Sequence, residues 1–187
     1  MAVGRTQTAS NALFFCTFTC WDWIPLIDRT GLYDVIQERL NRLTEKGCLT
    51  AGYVIMPNHV HLLLYVPEGM SINIILGDCK RWFAHKIIER LGTQQDHNLL
   101  FRVQRDVKSP AYAKGQLHRV WIPSSDIKHC YSPKMIVQKL SYIHLNPVRG
   151  KWSLADDPAS YPYSSAAFYE YGTAGHVRMT RWEDLDP

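Results

Sequence analysis

The chain is poor in the features that would assign it quickly. No apolar run approaches the roughly 18 residues needed to span a bilayer, and no basic stretch followed by an apolar core marks a secretory leader. The expectation is therefore a cytoplasmic protein. No CxxC pair occurs, and five cysteines (Cys16, Cys20, Cys48, Cys79, Cys130) make an odd count. That argues for free buried thiols in a reducing compartment rather than a disulfide framework. Cys16 and Cys20 are too loosely spaced to make a zinc site the better reading. There is no Walker-type GxxxxGK[ST], no HExxH, no internal repeat and no low-complexity tract. A nucleotide-driven motor and a thermolysin-like zinc hydrolase thus lose their usual signatures. Charge of one sign is also lacking. A net charge of +4 permits a phosphate-rich partner without requiring one.

What is present is an ordinary globular composition, 46% hydrophobic and 20% charged over 187 residues, long enough for one sizeable core. Polar residues 1–10 are expected to be a flexible N-terminus, 11–172 a single domain and 173–187 a C-terminal tail. Leu13 to Cys20, aromatic and Thr-rich, predicts a first strand. Leu32, Val35, Ile36, Leu40 and Leu43 recur at helical spacing, and Gly47 ends that helix. Leu49–Met56 and His59–Val66 predict two strands separated by Pro57-Asn58. Ile72, Ile75, Cys79, Phe83, Ile87 and Leu91 form the stripe of a second helix capped by Ser71, and Gly92 to His97 reads as a loop. Residues 99–123 are ambiguous, with Leu117–Ile122 a candidate fourth strand ended by Pro123. Pro133 opens a helix through Tyr142 that must end near Asn146, before Pro147. The last forty residues predict an irregular wrap on the core. The order β-α-β-β-α-β suggests an α+β, ferredoxin-like antiparallel sheet with an extra C-terminal helix.

Two short motifs could carry chemistry. In a strand, His59 and His61 share a face while Val60, Leu62, Leu64 and Val66 share the other. Paired neutral imidazoles are natural metal ligands, but the spacing alone favours the polar face of a half-buried strand. On the later helix, Gln138, Tyr142 and Asn146 fall at i, i+4 and i+8 and so project together. A phenol is a weak nucleophile at neutral pH. A divalent cation that polarises a phosphate, with Asn146 as a further oxygen ligand, would give it a target. Alone, a helical tyrosine is more often a packing residue.

Together the motifs are far more specific. Met56-Pro57-Asn58-His59-Val60-His61-Leu62-Leu63, followed about eighty residues later by Tyr142-Ile143-His144-Leu145-Asn146-Pro147-Val148-Arg149, resembles the IS200-like Y1 transposases. Within that family the chain is most similar to the REP-associated tyrosine transposases, of the HUH endonuclease superfamily. Arg119-Val120-Trp121 and Tyr161-Pro162-Tyr163-Ser164-Ser165 extend the likeness to roughly residues 12 to 170, whereas Ile122-Pro123-Ser124-Ser125-Asp126 departs from the family's more aromatic and basic stretch. The resemblance implies a ferredoxin-like HUH fold and single-stranded DNA as substrate, usually beside a hairpin, with Mg²⁺ or Mn²⁺ as cofactor. It implies His59 and His61 as metal ligands, Asn146 as the third ligand and Tyr142 as the nucleophile that forms a 5′-phosphotyrosine. A monomer is the preferred assembly.

Lys80, Arg81, Lys86 and Arg90, with Trp82 and His85 interleaved, offer a candidate nucleic-acid surface, or merely a solvated helix face. Arg102, Arg105, Lys108, Lys114, His118 and Arg119 form a second basic cluster, with Trp121 alongside. His176, Arg178 and Arg181 extend it or belong to a disordered end. His144 faces away from Tyr142 and is expected to be structural. Three other readings compete with a transposase. They are a replication or conjugation initiator, a domesticated non-catalytic nucleic-acid-binding module of the same fold, and a zinc hydrolase using the histidine pair.

Overall fold

The computed structural model describes residues 11–105, 117–150 and 152–185. Residues 1–10, expected to be flexible, lie outside that range, as do Lys108 and Lys114 of the second basic cluster and the side chain of Arg105. The first strand, β1 (Ala12–Thr19), leads through a single 3₁₀ turn at Trp21–Trp23 into the short helix α1 (Leu26–Arg29) and then α2 (Tyr33–Thr44). Strands β2 (Leu49–Ile55) and β3 (His59–Val66) follow, then α3 (Ile72–Thr93) and α4 (His97–Arg105). The chain continues into β4 (Asp126–His129), α5 (Pro133–Leu145) and α6 (Ala166–Tyr171). The sheet order is β2-β3-β1-β4 with every pairing antiparallel, the ferredoxin-like arrangement.

Alternation along the strands sends side chains into two cores. Phe14, Cys16 and Phe18 of β1 and Val60, Leu62, Leu64 and Val66 of β3 pack beneath α2 and α3. Leu13, Phe15 and Leu63 lie on the opposite face beneath Ile136, Leu140 and Ile143 of α5. Each of those three α5 side chains contributes about 1.5–3 kcal/mol by burial, which fixes the helix on the sheet. Gly52 lets it lie close, because a Cβ there would come within 2.6 Å of Leu140 Cδ2. Ser132 caps α5 by accepting from Met135 N at 3.4 Å, and Pro133 opens its first turn.

Two elements differ from the sequence reading. Leu117–Ile122 is not the fourth strand. Trp121 makes one bridge to Cys20, and Ile122 N donates to Thr19 O at 2.9 Å before Pro123, which has no N–H, breaks the ladder. The chain bulges out and rejoins β1 only at Asp126, opposite Thr17. His97–Arg105, which starts at the end of the expected Gly92–His97 loop and runs into the ambiguous stretch 99–123, forms α4, whose first turn is held by Asp96 Oδ1 accepting from Leu99 N at 3.2 Å. The described C-terminal residues wrap irregularly on the core, as the sequence suggests for the last forty. Val177 is buried, Ser164 bridges Val54, and Met179 bridges Thr50, so residues 161–180 cover the free edge of β2. All five cysteines are buried free thiols, and burial pushes Cys20 up to about 12, far from a zinc-binding thiolate. Among the described residues no helix is long and apolar enough to cross a membrane.

Candidate active site

On the α5 side of the sheet the apolar layer stops halfway along the strands. Beyond Phe15 and Leu63 the same face continues as Thr17, Thr19, His61 and His59, with Thr17 opposite His61 and Thr19 opposite His59 in the β1–β3 register. The end of α5 closes over this polar strip. The result is a cavity of about 570 Å³ lined by Thr17, Trp23, His59, His61, Asp126, Lys128, Lys139, Tyr142, Asn146 and Arg149, among others.

The histidines are buried, at 8% and 4% exposure, and each is oriented from behind. Asn58 donates from Nδ2 to the Trp23 carbonyl at 2.9 Å, which turns its Oδ1 toward His59 Nδ1 at 2.7 Å. An acceptor at that place requires the proton on Nδ1, leaving a lone pair on His59 Nε2. That lone pair faces Asn146 Oδ1 at 3.3 Å. Thr17 Oγ1 lies 2.8 Å from His61 Nδ1, while His61 Nε2 is buried with no hydrogen-bond partner among the described residues. Burial holds both imidazoles neutral. His59 is pushed down to about 4, partly opposed by the Asn146 oxygen, which would favour the protonated ring, and His61 to about 3, aided by the repulsion its cation would meet from a protonated His59 and from Lys139.

Two neutral imidazoles and an amide oxygen, with the His59 lone pair turned toward that oxygen and the His61 Nε2 left without a partner, fit a divalent cation. Among the described residues no three His, Cys, Asp or Glu side chains gather into a metal site, and the side-chain oxygen set beside the histidine pair is the amide oxygen of Asn146. Tyr142 is 51% exposed, its ring 4.9 Å from His61 and 6.0 Å from Phe15. His59, His61, Tyr142 and Asn146 therefore meet within one chain.

Gln138 does not join them. The helix turns it outward, and Lys139, three residues before Tyr142, takes its place with Nζ 4.6 Å from the centre of the Phe15 ring. Lys139, Thr17, Trp23 and Asp126 were missed in the sequence. A Lys at i−3 of the tyrosine was the one visible signal. The cavity carries Lys128, Lys139 and Arg149 against a single carboxylate, Asp126, so its balance is positive, as a phosphodiester requires.

The surface expected for nucleic acid is largely committed elsewhere. Lys80 Nζ donates to Ile122 O at 2.8 Å and Pro123 O at 3.2 Å, and Trp121 is buried, its Nε1 bonded to Lys80 O at 2.8 Å. Both therefore hold the bulge before β4. Arg90 clasps Asp34 and the carbonyls of Thr30 and Gly31, tying α3 to the turn before α2. Arg119 covers the Trp21 ring at 3.2 Å, and Arg102 is paired with Asp22. Arg81 and Lys86 make exposed ion pairs with Asp78 and Glu89, of the kind that a phosphate readily displaces. His144 is structural, its Nε2 2.9 Å from Ser165 Oγ.

The fold is that of a ferredoxin-like sheet carrying a histidine pair beneath a tyrosine-bearing helix. Among solved structures, the chain is similar to a REP-associated tyrosine transposase bound to a REP hairpin, with a TM-score of 0.58 and 16% identity over 100% of this chain and 98% of that one. It is also aligned with a transposase candidate from Deinococcus radiodurans R1, at 19% identity over 76% of this chain and 95% of the other, with a TM-score of 0.37. No family model matches, and no curated protein does. At this identity the first likeness establishes a shared fold.

Proposed function

We propose that the chain is a metal-dependent endonuclease and strand transferase of single-stranded DNA, a transposase-type enzyme that cuts beside hairpins. The observation that carries the reading is the convergence of His59 Nε2, the orphaned His61 Nε2 and Asn146 Oδ1 beside the accessible ring of Tyr142, in a cavity of positive balance. The shared fold with a transposase bound to a REP hairpin supports a hairpin-bearing partner.

His59, His61 and Asn146 would hold Mg²⁺ or Mn²⁺, which when bound polarises a phosphate and absorbs negative charge developing on it. Lys139, Lys128 and Arg149 bind and orient the sugar-phosphate backbone from the other walls of the cavity. Tyr142 Oη gives up its proton to solvent water and attacks phosphorus. The P–O3′ bond breaks, its electron pair stays on the 3′ oxygen, and that oxygen takes a proton to leave as a hydroxyl. The 5′ side stays joined to the protein as a phosphotyrosine. Attack by a second 3′-hydroxyl reverses the step and joins new strands. The exchanged bonds are equivalent phosphodiesters, so no nucleotide is consumed. One chain supplies every group, so a monomer suffices, acting in the cytoplasm where DNA is accessible.

The test is an SDS-stable adduct formed on single-stranded DNA bearing a hairpin, with Mn²⁺. Tyr142→Phe should abolish it without unfolding the protein, because Tyr142 is half exposed. An adduct that persists in Tyr142→Phe removes the tyrosine from the chemistry. If wild-type protein binds such DNA and forms no adduct on any substrate, a non-catalytic binding module becomes the better reading.

A further inference from the structure

The turn at Trp21–Trp23 holds two residues in a sparsely populated backbone region. Asp22 and Trp23 both take positive φ, 53° and 55°. Residues with a Cβ occupy that region at a cost of about 1–3 kcal/mol each. A tryptophan ordinarily offsets such strain by burying its indole, yet Trp23 is 57% exposed.

The backbone is nonetheless clamped. Trp23 N donates to Cys20 O at 3.2 Å and Ile24 N to Trp21 O at 3.1 Å. The buried Asn58 amide holds the Trp23 carbonyl, Asp22 is ion-paired with Arg102, and Arg119 lies over the Trp21 ring. Several interactions thus fix an exposed aromatic at one place. That place is the rim of the cavity, with the indole centre 6.3 Å from His59 at an interplanar angle of 70°.

We infer that Trp23 is the platform on which the nucleobase beside the cleaved phosphate stacks, and that it selects substrates unpaired and unstacked at that nucleotide. The inference rests on the strand-transferase reading of the same cavity. Phosphates meet Lys139 and Arg149 on one side, and a base meets the indole on the other, the division of labour that single-strand sites use. A base inside a duplex has both faces covered by its neighbours. Only an extruded or single-stranded base offers a free face to Trp23.

The experiment measures equilibrium binding in a Tyr142→Phe background with Mn²⁺. Fluorescence anisotropy would follow hairpin-bearing oligonucleotides in which each unpaired nucleotide in turn is made abasic. One abasic position should weaken binding by roughly 5- to 140-fold, the range expected for one base–aromatic stack. Trp23→Ala should lose the same factor and become insensitive to that position. Trp23→Gly, which suits the positive φ, should lose the same affinity while its Tm stays equal or rises.

Losses from Trp23→Ala and the abasic site that multiply overturn the inference, as does a Trp23→Gly protein of lower Tm. Adduct formation by wild-type protein on the same oligonucleotides reports separately on the nucleophile. Adduct without Trp23 coupling defeats the platform alone. Coupling without adduct upholds the platform and defeats the nucleophile, and absence of binding to any oligonucleotide defeats both.

Discussion

Asn58 Nδ2 donates to the Trp23 carbonyl at 2.9 Å, and that bond decides which nitrogen of His59 carries the proton. With its amide nitrogen committed, Asn58 can offer His59 Nδ1 only an oxygen, so Nε2 is left unprotonated toward Asn146. A ligand imidazole is usually set in this way by the group behind it.

Removal of that support should be felt at the cation first. Asn58→Ala leaves the buried His59 Nδ1–H unpaired and releases the part-buried Trp23 carbonyl, a loss of about 1–3 kcal/mol in stability. Mn²⁺ affinity should fall roughly 10- to 100-fold, as it does when groups behind metal ligands are removed elsewhere. Isothermal titration on the folded variant checks this. Unchanged affinity would show that the amide does not orient His59.

Lys139 stands on the Tyr142 face of α5 and its charge reaches His61. Lys139→Met keeps the stem over Phe15 and deletes the charge. Affinity for single-stranded DNA should fall, and the slope of log affinity against log salt should become shallower by about 0.7, the share of one phosphate contact on a single strand. Binding isotherms across salt concentrations decide it. A parallel shift with no change of slope would mean that Lys139 touches no phosphate.

The sheet and the long helices were legible because each has its own period. His59–Val66 alternates two apolar faces broken by two histidines, and Ile72 to Leu91 repeats at 3.6. The fourth strand was not legible. Its pairing with β1 is tertiary, and Asp126-Ile127-Lys128-His129 carries almost no apolar pattern of its own. Within the site, the proposed ligands and nucleophile lie on regular elements at readable spacings. Thr17 and Trp23 enter only because β1 folds beside β3, which no local pattern announces. The packing roles of other residues are hidden for the same reason. Lys80, Arg90 and Trp121 look like binding residues in one dimension and are consumed by packing in three.

The approach of α5 to β2 gives a prediction about position. Gly52→Ala would bring a Cβ within 2.6 Å of Leu140 Cδ2 and 3.5 Å of Ile143 Cδ1. The Leu140 tip can turn aside, so the expected loss is an overpacking one of about 1–3 kcal/mol rather than collapse. The displaced helix carries Tyr142 and Asn146, so adduct formation should slow by more than DNA binding weakens. Single-turnover rates at saturating DNA, compared with anisotropy, test that split. Equal losses in both would place the effect on binding instead.

His144 makes stability depend on pH. Its Nε2 lies 2.9 Å from Ser165 Oγ, which also accepts from Tyr53 N at 3.0 Å, so it ties α5 to the segment covering β2. Burial pushes the imidazole down to about 4 from its usual 6.5. The unfolded chain therefore binds a proton there between pH 6.5 and 4 that the folded protein refuses. Stability is complete above about pH 6.5 and falls as the pH drops toward 4, because protons favour the unfolded state. His59 and His61, also buried and neutral, add slopes of the same sign when no metal is bound. In metal-free protein, His144→Gln should remove about one proton from the slope between pH 5 and 6, roughly 1.4 kcal/mol per pH unit at most. Urea unfolding at successive pH values measures it. A slope unaltered by His144→Gln would mean that His144 takes up its proton equally well in the folded protein.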